Sequence, residues 1–365
     1  MLDFVANKFF KGNKNVAFIV LASTGLVLII LIVILIANLF SWGIKDYTGL
    51  EKELVKATEK YYEDNEERLP KTDGEIVSVS SDMLVEGKYI KELDKLYSKD
   101  TCSATVELIK SGEEYLYNPI LDCENYKSKT LVDELTSKVV TEESGLYKEN
   151  EEYIFRGEYV NNYVKFDNKL WRIVKIDGNG IKMYLIYEKL EKVVWDDRYN
   201  LEKKDYYGKN TYDTSRISTY LKNAYNDDTF VSSESKKYLV NAEWCIGSIK
   251  EKTPISNINL CNETIRSYIG LLGVDDYAKA SLEPACKNFD DAACVNYNYL
   301  LRLNNTNWTL NSYPGNTYDV YAITSSGVEI NRASREKAIR PVIYLNSHVL
   351  LSSGDGSEES PYTIK

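Results

Sequence analysis

Apolar residues follow three different patterns along the chain, and each pattern predicts a different structure. Residues 16–40 form one apolar run without a charged side chain, longer than the ~20 residues that a helix needs to cross a bilayer. Between residues 43 and 127, an apolar stripe at helical spacing precedes short alternating runs. From residue 153 onward, alternating apolar and polar positions dominate, as is typical of strands. The chain is therefore expected to combine a membrane helix with two folded units.

The residues that flank the apolar run predict its orientation. Three lysines lie within residues 1–15, whereas residues 45–53 carry charges of both signs. Lysine and arginine favour the cytoplasmic side of a membrane. Residues 1–15 are therefore expected to be a cytoplasmic tail, residues 16–40 a single transmembrane helix, and the remainder extracellular. A cleaved signal peptide is the alternative, but its apolar region is shorter, about 7–15 residues.

The unit next to the membrane, residues 43–127, is predicted to pair helices with a small sheet. Leu50, Leu54, Ala57 and Tyr61 recur every three or four positions and predict a helix that ends before Pro70. Further elements are expected at residues 76–79 (strand), 81–96 (helix), 104–109 and 115–117 (strands). Residues 128–152 are polar and charged, and they are predicted to be a linker.

The distal unit, residues 153–365, is predicted to place helices between two groups of strands. Residues 163–166 and 170–176 alternate around Asp167-Asn168-Lys169, which is typical of a hairpin. A short helix is expected over residues 215–224, and strands return after residue 320. This arrangement predicts the α+β class with an antiparallel sheet.

Charge excludes one class of partner. The chain has 55 acidic and 45 basic residues, a formal net charge of −10. Nucleic-acid binding needs clustered lysine and arginine to neutralise phosphates, so no nucleic-acid partner is predicted. The 30 tyrosines indicate either an adhesive surface or the codon bias of an AT-rich bacterial genome, and the second interpretation is favoured.

The cysteines favour an oxidising compartment. All six follow the apolar run: Cys102, Cys123, Cys245, Cys261, Cys286 and Cys294. An even number outside the membrane predicts three disulfides. The spacing favours local pairs, 102–123, 245–261 and 286–294, while other connectivities stay open. Zinc is the alternative, but there is no CxxC motif and a single histidine, His348. Neither a metal site nor a cofactor is predicted.

The N-terminal half contains the apolar run, an amphipathic helix and the segments YYEDNEERLP, DMLVEGKYIKEL, TCSATVELI and EYLYNPILDC. In this order they resemble a type IV pilin or pseudopilin-like subunit. The resemblance implies a long N-terminal helix packed on a small sheet, with Cys102 and Cys123 closing a loop. It also implies partners from a pilus or secretion assembly.

The distal unit contains YVKFDNKLWRIVKIDGNGIKMYLI, SRISTYLKNAYN and IRPVIYLNSHVLLSSGDGSEESPYTI. These segments resemble a bacterial surface domain of unknown function with the C-type lectin-like fold that sulfatase-modifying factors share. The resemblance implies a C-type lectin-like α+β domain in an extracellular setting, not a reaction.

Residues typical of catalysis are scarce. His348 follows an expected turn and is interpreted as a surface residue, and no GxSxG, GxxxxGK[ST] or GxGxxG motif occurs. Acidic doublets, including Asp275-Asp276, are interpreted as solvated loop residues. The protein is therefore predicted not to be an enzyme. An oxidase similar to sulfatase-modifying factors would use Cys286 and Cys294, but their surroundings do not match that family's motif.

A stretch rich in asparagine and aromatic residues is the predicted binding site. Amides can orient a ligand by hydrogen bonds while aromatic faces stack on sugars or side chains. The predicted binding residues are Asn305, Asn307, Trp308, Asn311, Tyr313, Asn316 and Tyr318. A place in the core is the alternative for Trp308.

Together these features predict a membrane-anchored bacterial surface protein whose lectin-like domain binds a glycan or another surface protein. One alternative is a minor pseudopilin-like component of a pilus or secretion assembly. A second is an enzyme similar to sulfatase-modifying factors.

Overall fold

The computed structural model describes residue 15 and residues 46–186, 191–258, 261, 263–302 and 306–365. Within these residues, strands in four sheets dominate, and helices are few and mostly short. Two apolar clusters, one large and one small, hold the sheets and helices together.

The first unit begins with helix α1 (Tyr47–Glu63), which the Asp46 side chain caps by accepting from the Gly49 amide. The predicted apolar stripe is confirmed, because its four side chains are buried against a sheet. That sheet is antiparallel and contains β1 (Ile76–Ser80), β2 (Cys102–Ser111) and β3 (Glu114–Cys123).

The single helix expected over residues 81–96 is wrong. The chain instead forms two short helices, α2 (Ser81–Glu86) and α3 (Leu93–Leu96). Gly87 ends α2, and Lys88 follows with a φ of 63°, a left-handed backbone that no α-helix can continue through. The apolar spacing over residues 81–96 is therefore divided between two helices.

The three-stranded sheet contributes to both apolar clusters. Neighbouring residues of a strand point to opposite faces, and in β2 Leu108 packs in the cluster beneath α1 while Ile109 joins the large distal cluster. The Ser111 hydroxyl donates to the Leu239 carbonyl at 2.8 Å, and the Asn118 amide donates to the His348 carbonyl at 2.9 Å. The first unit is thus packed directly onto the distal one.

Residues 128–152, expected to be a linker, contain regular structure. Helix α4 (Leu131–Thr136) starts with a capping box between Thr130 and Asp133. Strand β4 (Gly145–Glu149) pairs with β5 (Glu152–Arg156). The buried side chains of Leu131 and Leu135 join the large cluster.

A nine-stranded sheet forms one side of the distal unit. Its remaining strands are β6 (Tyr163–Phe166), β7 (Lys169–Asp177), β8 (Gly180–Leu185), β12 (Ile269–Gly270), β17 (Val342–Leu345), β18 (Leu351–Ser353) and β19 (Tyr362–Ile364). The predicted β6–β7 hairpin is confirmed, and its two turn residues, Asp167 and Asn168, both have positive φ, as a type I′ turn requires.

A five-stranded sheet completes the core. It contains β9 (Lys192–Val194), β13 (Asn307–Ser312), β14 (Asp319–Thr324), β15 (Gly327–Arg332) and β16 (Glu336–Ala338). The distal unit also contains two helices, α5 (Arg216–Asn226) and α6 (Val274–Lys279), and a separate antiparallel pair of strands, β10 (Ala242–Cys245) and β11 (Thr264–Ser267). Fully buried tryptophans, Trp171, Trp195 and Trp308, fill the space between elements.

The predicted fold class is wrong. It specified a transmembrane helix, a pilin-like α+β module and a C-type lectin-like α+β domain with an antiparallel sheet. Among the described helices none has the length and apolar character needed to span a membrane, and residues 16–40 lie outside the described residues. Strands outnumber helices, and the pairs β13–β16 and β6–β19 run parallel. These pairs join strands that are distant in sequence, so no local pattern predicts them.

The three local cysteine pairs are confirmed. Disulfides join Cys102 to Cys123, Cys245 to Cys261, and Cys286 to Cys294. Cys102 and Cys123 face each other at the end of the β2–β3 hairpin. Three disulfides are characteristic of an oxidising setting, extracellular or secreted.

Candidate functional site

A charged cavity of about 250 Å³ opens between the nine-stranded sheet, β10 and α6. This volume lies below the ~300–1,000 Å³ of sites for drug-sized ligands, so the cavity fits one small molecule or one residue of a polymer. The side chains most important for its chemistry are Lys175, Asp177, Lys182, Trp244, Asp275 and Asn311.

The β7–β8 hairpin supplies the charges of the cavity floor. Lys175 and Asp177 are two positions apart in β7 and share one face of the sheet. Lys182 of β8 lies directly opposite Lys175. Two like charges opposite each other destabilise a sheet, so the arrangement depends on nearby carboxylates.

Glu152 and Asp177 neutralise Lys175. The Lys175 ammonium lies 2.9 Å from Asp177 Oδ2 and 3.4 Å from Glu152 Oε1. Lys279, at the end of α6, reaches the other Glu152 oxygen at 3.2 Å. Burial opposes ionisation of Asp177, but Lys175 outweighs it and lowers the pKa of Asp177.

Lys182 is paired with a second carboxylate, Asp276. The Lys182 ammonium lies 2.7 Å from Asp276 Oδ2, which also accepts from the Gly273 amide at 2.7 Å. Asp276 Oδ1 is buried and has no hydrogen-bond partner among the described residues. Burial raises the pKa of Asp276, and the neighbouring charge of Asp275 raises it further.

Asp275 lines the cavity beside Asn311. A Cβ atom at Gly273 would lie 2.1 Å from Asp275 Oδ1 and 3.3 Å from Asn311 Oδ1, so only glycine leaves room for this carboxylate. Asn311 is fixed on both sides, since its Oδ1 accepts from the Val274 amide at 3.0 Å and its Nδ2 donates to the Gly247 carbonyl at 3.2 Å. Two acceptor oxygens thus lie close together at the cavity wall.

Aromatic rings form another part of the wall. Trp244 and Tyr344 meet edge to face with their ring centroids 5.2 Å apart. The Tyr344 hydroxyl donates to Asp177 Oδ2 at 3.1 Å, and the Trp244 indole donates to the Ser267 carbonyl at 2.8 Å. Lys182 lies 5.4 Å from the Trp244 ring centroid, a cation–π contact. The Cys245–Cys261 disulfide borders the same cavity.

One of the seven predicted binding residues, Asn311, lines this cavity. Asn307 and Trp308 are buried, and the Trp308 indole donates to the Val193 carbonyl at 2.8 Å. Asn305 lies outside the described residues. The other three, Tyr313, Asn316 and Tyr318, are half-buried in the turn after β13.

That turn is held by a neighbouring loop. The Asn210 side-chain amide donates to the carbonyls of Tyr313, Asn316 and Asp319, at 3.1, 2.9 and 2.6 Å. The same loop exposes Tyr206 and Tyr207. None of these residues lines the cavity, so the turn and the loop form a second surface that is separate from it.

The charged residues of the cavity are not among the predicted binding residues. A signal was present, because Lys175 and Lys182 each stand between two apolar residues of a predicted strand. Lysine is rarely buried without a partner, so such a position predicts a buried counter-charge. The doublet Asp275-Asp276, interpreted as solvated, contains one of these partners.

Within the described residues, one group has metal-ligating atoms close together: Asp100, Cys102 and Cys123. The two sulfur atoms form a disulfide, so they are not thiolates that could bind a metal.

Comparisons with known proteins give no relative for this chain. No family model, curated protein or solved structure matches it.

Proposed function

We propose that the protein is an extracytoplasmic binding protein that holds a small polar ligand, such as one residue of a glycan, without chemical turnover. The observation that carries this proposal is the cavity, whose two lysines are fixed by ion pairs before any ligand arrives. Pre-organised polar groups lower the entropy lost on binding. The three disulfides support a location outside the cytoplasm.

Binding is favoured over catalysis because both lysines of the cavity are engaged with carboxylates. Lys175 and Lys182 each lie within ion-pair distance of a carboxylate. A general acid or base must exchange a proton with the substrate at a working pH near its own pKa. Lys175 does not meet that condition, because the fields of Tyr344 and Asp177 outweigh burial and raise its pKa well above the ordinary value.

Membrane retention is part of the proposal. Residues 16–40 are apolar and uncharged, and we propose that they keep the protein at the cell surface. Extraction of cell membranes at alkaline pH tests this, since a retained protein stays in the pellet. Release into the supernatant would contradict retention but not ligand binding.

The cavity can be filled without straining the backbone. Gly178 lines it, and a Cβ atom there meets no other atom within 4 Å. We expect Gly178→Trp to reduce ligand binding at least tenfold, and Gly178→Ala, the matched control, to leave it within about threefold. A glycan array followed by calorimetry with the full-length protein provides the measurement. Equal binding by both variants would refute the cavity as the site.

A further inference from the structure

We infer that the ligand of this cavity carries a protonated amino group, which the Asp275 carboxylate and the Asn311 side-chain oxygen receive. The chemical class is a small hydroxylated primary amine, of which a non-acetylated amino sugar is the type. The inference rests on the proposed function and specifies the substrate class of the same site.

Asp275 differs from the other carboxylates of the cavity in having no cation of its own. Glu152 and Asp177 lie within 3.4 Å of Lys175, and the Asp276 carboxylate contacts Lys182. Glu243, at the rim, is 4.0 Å from Arg266. Among the described residues, no lysine or arginine lies within ion-pair distance of Asp275.

Asp275 is nevertheless charged at neutral pH. Burial opposes its ionisation, but the fields of Lys182 and Lys175 outweigh burial and lower the pKa of Asp275. Both lysines form their ion pairs with other carboxylates, Asp177 and Asp276. A carboxylate removed from water is stabilised when a cation contacts it directly, and Asp275 lines the cavity. A ligand ammonium would provide that contact.

Two hydrogen-bond acceptors, Asp275 Oδ1 and Asn311 Oδ1, lie side by side at this wall. Asn311 Oδ1 has one lone pair left after it accepts from Val274, and it lies beside Asp275 Oδ1. An ammonium carries three donors and can satisfy both oxygens at once. A hydroxyl carries one donor and leaves the charge of Asp275 uncompensated.

The overall charge of the cavity lining excludes anionic ligands. Four carboxylates, Glu152, Asp177, Glu243 and Asp275, and two lysines line the cavity, so its side-chain charge is −2. Phosphate, sulfate or a uronic acid would be repelled. A cation is attracted, and the cavity volume restricts it to a single small residue.

Calorimetry on the full-length protein tests the inference with glucosamine, N-acetylglucosamine and glucose as probes. The three probes have the same pyranose ring, and among them only glucosamine carries an ammonium group. We expect glucosamine to bind at least tenfold more tightly than the other two.

Asp275→Asn should remove that preference and Asp275→Glu should retain part of it. Asp227→Asn, which changes an exposed carboxylate, is the matched control and should bind as the unchanged protein does.

The outcomes separate this inference from the proposed function. If all three probes bind equally and Gly178→Trp abolishes binding, the ammonium is not recognised, but the cavity is still a binding site. If glucosamine is preferred and Asp275→Asn leaves the preference intact, Asp275 is not its receptor and the inference fails. If none of the probes binds, the inference is overturned. Thermal melting of each variant establishes that it is folded.

Discussion

The Lys182 ammonium lies 2.7 Å from Asp276 Oδ2, and the two residues are only 4% and 2% exposed. Because water barely reaches this region, each of the two charges mainly offsets the cost of removing the other from water. Removal of one partner leaves the other buried and unpaired, which is more costly than removal of both.

A double-mutant cycle tests this pair. We expect Asp276→Leu to lower the free energy of unfolding by ~3–5 kcal/mol, because Lys182 then loses its buried counter-charge. Lys182→Met should destabilise similarly, and the double variant should recover most of the loss. Urea denaturation followed by tryptophan fluorescence gives the three values. Strictly additive losses would show that the pair is not coupled.

His348 and Glu107 form an ion pair between the two units. His348 Nδ1 lies 2.9 Å from Glu107 Oε2, and this hydrogen bond raises the pKa of His348. Since His348 is the single histidine of the chain, its ring protons can be followed by NMR without assignment. We expect a pKa above the ordinary ~6.5, returning towards that value in Glu107→Gln.

The same pair predicts how stability changes with pH. The pKa of His348 is higher in the folded than in the unfolded protein. The stability that the His348–Glu107 pair contributes is therefore complete below the unfolded pKa, and it is lost as the pH rises through the folded pKa. The protein should therefore lose a few tenths of a kcal/mol from about pH 6 to pH 8, a small effect because the pair is partly exposed. Urea midpoints of the unchanged protein and Glu107→Gln should converge at high pH. A constant difference would contradict the linkage.

Asn210 fixes the turn that follows β13. We expect Asn210→Ala to destabilise the protein by ~1–3 kcal/mol, because three carbonyls lose the side-chain amide that donates to them. Hydrogen exchange of residues 313–319 should accelerate. Asn223→Ala, at an exposed position of α5, is the control and should leave exchange there unchanged. An unaltered exchange rate in Asn210→Ala would show that the turn is held by other contacts.

The Cys102–Cys123 disulfide closes the β2–β3 hairpin. We expect replacement of both cysteines by alanine to lower the free energy of unfolding by about 3 kcal/mol, since the unfolded chain gains loop entropy. The binding cavity lies in the distal unit, so affinity for its ligand should stay the same. Calorimetry and urea denaturation on one preparation separate the two effects. A loss of affinity would indicate that the first unit shapes the cavity.

The sequence predicts those helices, hairpins and disulfides that depend on residues close together in the chain. Helix α1 follows from four apolar residues at helical spacing, and the β6–β7 hairpin follows from alternation around two turn residues that tolerate positive φ. The disulfides followed from spacing as well, because cysteines close in sequence need little loop entropy to meet. Each of these features depends on contacts within about twenty residues.

Tertiary structure alone decided the order of the strands in the sheets and the position of the cavity. It also decided that the β1–β3 sheet packs in both apolar clusters. Strand β19 pairs with β6 and β16 with β13, and such distant pairings depend on the packing of the whole core. The fold brings Lys182 and Asp276 together although 94 positions of the sequence separate them. A lysine between apolar residues of a strand predicts that a carboxylate partner exists. The sequence does not identify that carboxylate, because the pairing depends on which surfaces the folded chain buries together.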